Sequence, residues 1–278
     1  MKTLLSLSFA LGLCFGAFSQ KYEYLAGARL GASNSFTDIG GQKSGAMIDM
    51  NIEGTRFVAS GTFETRFKSF YSLSADLTLS KLHGSDEYAK VEGKRIRNVR
   101  FNTPVFEIAV LNNFNMFEVF SYKKKYFVYP SLSLGFSLVH FNPKAADGTN
   151  TELQPLGTAG QKVPTYDFSP YSKWTTAILY QIGAETKEIS KGTFSGFSFG
   201  FALTYHQTFT DYLDDTGHDL YVNPDLIKEH SGEVASYYSQ PGQQHAWHRG
   251  GKKNDVFTTA RFSIKKRLNS VKVDNQFF

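Results

Sequence analysis

The sequence predicts an all-β fold: an eight-stranded antiparallel up-and-down transmembrane β-barrel with long extracellular loops. Three observations predict it. Apolar residues alternate with small or polar ones at a period of two along eight stretches. The connections between these stretches are alternately short and long. The 278-residue chain also combines a mean hydropathy of −0.30 with 26 Phe and 15 Tyr. It has no apolar run of the roughly 18–20 residues that a membrane helix needs. A polar average with so much aromatic surface suits strands that show one face to lipid and the other to a lumen.

The chain opens on a leader. Met1-Lys2-Thr3 is a short positive segment, Leu4 to Phe15 is an apolar stretch of secretory length, and Ala17-Phe18-Ser19 supplies small residues for cleavage. Residues 1–19 are therefore expected to be a signal peptide. Cys14 lacks the small preceding residue of a lipid-attachment motif, because Leu13 stands there. It is the chain's one cysteine, which excludes a disulfide scaffold and a thiolate zinc site.

The expected barrel spans 20–268, with strands near 22–32, 56–67, 70–82, 102–115, 126–141, 173–185, 195–208 and 255–266. The second is the least regular, since 47–53 either extends it or forms a hairpin in the loop before it. In the third, Tyr71, Leu73, Ala75, Leu77 and Leu79 point one way and Ser72, Ser74, Asp76, Thr78 and Ser80 the other. In the fifth, Leu132, Leu134, Phe136 and Leu138 alternate with Ser131, Ser133, Gly135 and Ser137. The sixth places Trp174, Thr176, Ile178, Tyr180 and Ile182 on one side. The seventh sets Phe197, Phe199, Phe201, Leu203 and Tyr205 against Ser198, Gly200, Ala202, Thr204 and His206. The connections at 68–69, 117–125 and 186–194 are short; those at 33–55, 83–101, 142–172 and 209–254 are long. Short periplasmic turns and long external loops explain that asymmetry, and they put both termini on the periplasmic side of an outer membrane. Residues 269–278 are expected to form a periplasmic tail.

Four charged residues, Arg29, Asp76, Glu107 and Arg261, fall on the inward phase. They form either an ion path or a charge-paired plug, and the narrow lumen of an eight-stranded barrel favours the plug. Phe209–Asp215, with His218 and Asp219, is the densest acidic cluster. It reads as a calcium-binding loop or as ordinary solvated carboxylates; its spacing is not that of an EF-hand. His206, His218, His230, His245 and His248 carry neither a His-Glu-x-x-His helix nor a Gly-x-Ser-x-Gly elbow. The expectation is a non-enzymatic protein with no catalytic residues, cofactor or metal. Its 30 basic against 25 acidic residues give a spread-out +5, which argues against a nucleic-acid partner.

Five segments add a resemblance: GASNSFTDIG at 31–40, HFNPKA at 140–145, ELQPLGTAGQ at 152–161, FTDYLDD at 209–215 and RGGKKND at 249–255. In their order they resemble a Bacteroidota family of outer-membrane β-barrels of largely undefined function. The PorG component of the type IX secretion system looks like a relative. The resemblance marks Asp211, Tyr212, Asp214 and Asp215 as the family-motif loop. It implies a membrane-anchoring role in secretion or gliding machinery, with outer-membrane lipid and a periplasmic ring lipoprotein and its associated proteins as partners. The contact would then be the Lys-rich periplasmic face, with Lys123, Lys124, Lys125, Lys187, Lys191, Lys266 and Arg267 as candidates. A stand-alone structural or surface-binding barrel is the other reading.

Overall fold

Eight long strands, each paired with its neighbours in sequence, close on themselves in the computed structural model. It describes residues 21–40, 52–89, 92–120, 126–166, 168–217, 223–239, 250 and 253–272. The leader, Lys123–Lys125, His218, Asp219, His245, His248 and 273–278 lie outside the described residues. The strands are β1 (Lys21–Phe36), β2 (Arg56–Lys68), β3 (Tyr71–Ser85), β4 (Arg100–Asn115), β5 (Val128–Phe141), β6 (Trp174–Thr186), β7 (Phe197–Thr208) and β8 (Val256–Lys272). All pairings are antiparallel, and β1 against β8 completes the ring, from Phe36↔Val256 to Lys21↔Lys272. Closure leaves no barrel strand with an unpaired edge. A two-residue strand, Lys144–Ala145, adds a short pairing to β4 at the long-loop end.

Two boundaries differ from the sequence expectation. β1 continues to Phe36, so 33–36 are strand rather than loop. β8 continues to Lys272, so 269–272 still pair with β1 and do not begin a tail. In both cases the extension comes from pairing with the partner strand, which period-two patterning within one strand does not reveal.

The predicted phases hold. Ser72, Ser74, Asp76, Thr78 and Ser80 are buried while Leu77 and Leu79 are exposed. Ser198, Thr204 and His206 are buried opposite exposed Phe199, Phe201 and Leu203. The outside is thus an apolar band that includes Phe136 at 69% and Phe262 at 68% exposure. A contiguous surface of this kind fits hydrocarbon rather than water. Near the end holding the short turns and the termini, Tyr22, Phe67, Tyr71 and Phe114 form a run of ring contacts with centroids 5.4–5.7 Å apart. Aromatic rings gather at such positions in membrane barrels because they are apolar in body and polar at the edge.

The described parts of the long connections carry helices of their own. The one between β3 and β4 holds helix α1 (Glu92–Arg97); the short β4–β5 link holds α2 (Met116–Val119). The β7–β8 connection holds the hairpin of α3 (Pro224–Ser231) and α4 (Glu233–Ser239). Asn223 caps α3 through its side chain, with Pro224 at the first helical position. Ile227 and Ala235 from this hairpin pack with Val163 of the β5–β6 connection, forming a small external core.

Candidate functional site

The interior of the barrel is filled in three layers, each built by inward residues of several strands. At the long-loop end the layer is apolar: Leu82, Val99, Phe101, Val105, Val139, Phe141, Ala177 and Phe257, joined by Ile39, Tyr171 and Leu213 from the loops. Burying such side chains contributes about 1.5–3 kcal/mol each, so this layer holds the mouth shut.

The middle layer is ionic. Arg29 Nη1 lies 3.0 Å from Asp76 Oδ2 and Arg261 Nη1 3.6 Å from the same oxygen. Arg261 also donates to Ser60 at 3.0 Å and to Thr204 at 3.2 Å, and Arg29 donates to Gln181 at 3.3 Å. Gln181 in turn accepts from Thr204 and donates to Ser133, both at 3.0 Å. Gly31 sits opposite Arg261 in the β1–β8 ladder, where a side chain would collide with the Ala260 backbone. Glu107 stands apart from the Arg29–Asp76–Arg261 contact. Its Oε1 is 2.9 Å from His206 Nδ1, and His206 Nε2 is 3.2 Å from Thr259 Oγ1. The His206 ring stacks on Phe257 with centroids 4.0 Å apart. All four predicted lumen residues are therefore inside, three of them in mutual contact. The partner of Glu107, His206, was on the inward side of the seventh-strand alternation and went unpaired in the sequence reading.

Carboxylate, imidazole and hydroxyl in this order resemble a nucleophilic triad. Yet Glu107, His206 and Thr259 are almost wholly buried, beneath the apolar layer. A substrate has no way to reach Thr259, so the arrangement satisfies buried polar groups instead.

The third layer, toward the short-turn end, was not read from the sequence at all. Lys265 Nζ lies 2.5 Å from Glu64 and 2.6 Å from Glu185. Arg66 reaches Glu64 at 2.9 Å, Glu185 at 2.6 Å and Glu188 at 2.9 Å. Lys265, at the end of the expected eighth strand, is turned inward and buried, and the strand runs on through Lys266 and Arg267. Arg267 is ion-paired with Glu188 at 3.1 Å and lies 3.7 Å from Glu23. Lys266 points outward, its ammonium 5.4 Å from the Phe197 ring centroid. Lys187 lines a depression of about 360 Å³ at this mouth, with Arg66, Glu118, Tyr129 and Glu188; Lys191 is exposed nearby in sequence. The charge of this face is mixed, not uniformly basic.

The family-motif loop forms a cap over the apolar layer. Leu213 is fully buried, and its carbonyl accepts from Thr103 Oγ1 at 2.5 Å. Tyr212 stacks on Tyr171 with centroids 4.5 Å apart. Asp214 Oδ2 accepts the Ile39 amide at 3.1 Å, and its Oδ1 accepts the Thr216 amide at 2.8 Å. Asp215, at a φ of 69°, accepts from Tyr171 Oη at 2.7 Å and from Thr158. Asp255 Oδ2 accepts the Leu213 amide at 2.8 Å. From the β3–β4 connection, Asp86 accepts from Gly40, Val99 and Arg97, the last at 2.7 Å. The motif thus ties its own connection to the β1–β2 and β5–β6 connections, and Asp86 with Arg97 joins the β3–β4 connection to Gly40 and Asp38 of the first. The carboxylates expected to be solvated are among the most buried groups of the molecule: Asp214 and Asp215 show 0% exposure and Asp211 4%. Burial, with Asp38 close by, pushes the Asp214 carboxyl up to about 6. Burial together with Asp214, Asp211 and Asp38 raises Asp255 well above the ordinary value. Among the described residues no group of three or more His, Cys, Asp or Glu has the geometry to hold a metal ion.

No protein-family model and no curated protein matches the chain. Among solved structures it is similar to Neisserial surface protein A at 8% identity and a TM-score of 0.38, over 89% of this chain and 97% of that one. It is similar to the attachment invasion locus protein Ail of Yersinia pestis, crystallised with the heparin analogue sucrose octasulfate, at 8% identity and a TM-score of 0.37, over 90% and 100%. It is likewise similar to the outer membrane protein OprG of Pseudomonas aeruginosa at 8% identity and a TM-score of 0.39, over 91% and 98%.

Proposed function

We propose that the protein is a sealed, non-enzymatic β-barrel of the outer membrane whose work is done by its ends. The observation that carries this reading is the filled lumen: an ion-paired middle, an apolar layer above it and the motif loop across the mouth. The exposed apolar band supports a place in the membrane. Recording from pure protein in a planar bilayer tests the reading. No steady unitary conductance is expected, and a reproducible one overturns it.

The finer reading is that of a membrane anchor in type IX secretion or gliding machinery, held by a periplasmic ring lipoprotein and its associated proteins at the short-turn end. It rests on the segment resemblance and on Lys187, Lys191 and Lys266 at that face, with Lys123, Lys124 and Lys125 as further candidates from the sequence. Such charge speeds docking and sets register more than it raises affinity. Reversing Lys123, Lys124 and Lys125 to Glu should abolish co-purification of periplasmic proteins and secretion, with the barrel still inserted. Normal secretion and co-purification refute the anchor role.

The second reading is a surface-binding barrel. It is favoured by the α3–α4 hairpin, which leaves Val234 and Tyr237 more than half exposed at the long-loop end. Deleting that hairpin distinguishes it, because an anchor that works from the other end tolerates the loss.

A further inference from the structure

At the long-loop rim the outward basic residues gather on one sector of the barrel. In β3 the exposed column of Leu77 and Leu79 runs on into Lys81 and His83; in β4 the column of Ile108, Phe106 and Pro104 runs on into Asn102 and Arg100. Lys144 pairs with Asn102 and shares its face. The rim positions of the same phase on the other strands are Phe36, Phe57, His140, Trp174, Gln207 and Thr258, and none of these is Lys or Arg. We propose that this sector binds the phosphate headgroup of a membrane lipid, with Lys81, Arg100 and Lys144 as the cations that face the phosphate; the reading of the long loops as external, on which this part rests, makes it a lipid of the outer leaflet.

The sector carries more cations than its own carboxylates neutralise. Lys81 is exposed and has no ion pair among the described residues. Arg100 meets Glu87 at 3.3 Å, with both side chains about half exposed, so water weakens that pair. Lys144 lies 4.0 Å from Glu152, which Lys173 holds more closely at 2.9 Å. The same β3–β4 connection places Lys94 and Arg95 beside Glu92 in α1. Asp147, in the turn after Lys144, is engaged by Tyr238 at 2.6 Å. His83 turns Nδ1 to the Phe101 carbonyl and to Asn102, 2.9 Å from each, and serves as wall rather than cation. A free anion in so exposed a place is screened and held weakly. A lipid is held twice. Its chains lie along Leu77, Leu79 and Ile108, which are 42–64% exposed. A rise of about 3.4 Å per residue sets Lys81 about 7 Å above Leu79. Lys and Arg stems then follow the apolar surface and carry their charge to the headgroup level. There a guanidinium takes two phosphate oxygens and an ammonium acts as a point charge.

Native mass spectrometry of the intact barrel, released from a nonionic detergent, tests this with two lipids of matched chains, phosphatidic acid and phosphatidylcholine. The wild-type barrel should retain phosphatidic acid about tenfold more tightly. In K81Q/R100Q/K144Q that preference should fall to about twofold or less. In K266Q, which removes an outward lysine at the opposite rim, it should stay. Equal retention of the two lipids by the wild-type barrel overturns the proposal. So does a preference that survives the triple variant or falls as far in K266Q. Inorganic phosphate at millimolar concentration should leave phosphatidic acid bound; displacement overturns the lipid as occupant, because an ion alone would then fill the site. Should the triple variant fail the heat-modified mobility test for folding, K81Q alone decides, with a loss of about fivefold expected and no loss overturning the proposal. The reading of the barrel as sealed fails separately, through a unitary conductance of the lumen, whereas lipid retention reports on the outer surface.

Discussion

The middle of the lumen and the cap above it both bury ionisable groups, and the described partners of those groups differ. In the lumen, cations and anions are interleaved: Arg29 and Arg261 share Asp76, while Lys265 and Arg66 share Glu64 and Glu185. In the cap, Arg97 engages Asp86, Asp214 and Asp255 accept backbone amides, and Asp215 accepts tyrosine and threonine hydroxyls. A charge buried with a counter-charge depends on that partner and little on pH near neutrality. A charge buried among like charges depends on protons. Burial, with other carboxylates near, raises Asp214 and Asp255, so the layer at the surface responds to pH.

The largest expected effect comes from breaking the interleaving. Asp76→Ala leaves two guanidinium groups facing each other without their shared carboxylate and should cost about 3–5 kcal/mol in urea unfolding from vesicles. A cost below about 1 kcal/mol would show that the middle layer does not hold the fold. Next is Leu213→Ala, which removes the apolar pin of the cap. Its cost of about 2–5 kcal/mol should appear as faster exchange of the loops, with strand protection unchanged. Loss of strand protection would mean that cap and barrel unfold as one unit. Third is the pH response. Asp214, raised to about 6, should reduce the stability of the cap by roughly 1 kcal/mol as pH rises from 5 to 8, with a further loss from Asp255. Hydrogen exchange of the Ile39 and Leu213 amides at the two pH values reads it, and equal protection at both would show that the raised carboxyls do not load the cap. The smallest is Thr103→Val, which deletes the hydroxyl that donates to the Leu213 carbonyl. It should cost about 1 kcal/mol in loop exchange and nothing detectable in barrel unfolding.

Much of the barrel was legible along the chain, because a strand reveals its two faces through its own period. That is why Arg29, Asp76, Glu107 and Arg261 were placed inside before any contact was known, and why Phe199 and Ser198 were assigned to opposite sides. The same logic, applied past residue 264, would have put Lys265 inside, since it continues the inward series of Arg261 and Ser263. Lys265 lay within the expected eighth strand, but its inward phase was not followed to the strand's end. His206 was on the inward list but was grouped with the loop histidines, so its pairing with Glu107 was missed. The acidic motif was the hardest. Asp214 and Asp215 lie in a polar loop, and local sequence carries no sign that such a loop will turn back over an apolar layer.

The sequence by itself determined the strand count, the phase of each strand and the alternation of short and long connections, because these depend on neighbours one or two residues away. Only the tertiary structure decided which charges meet and where the motif loop goes. Arg261 finds Ser60 across 201 residues, Lys265 finds Glu64 across 201, and Asp214 finds Ile39 across 175. Barrel closure brings such pairs together by setting the register of β1 against β8, and that register depends on how all eight strands stagger at once.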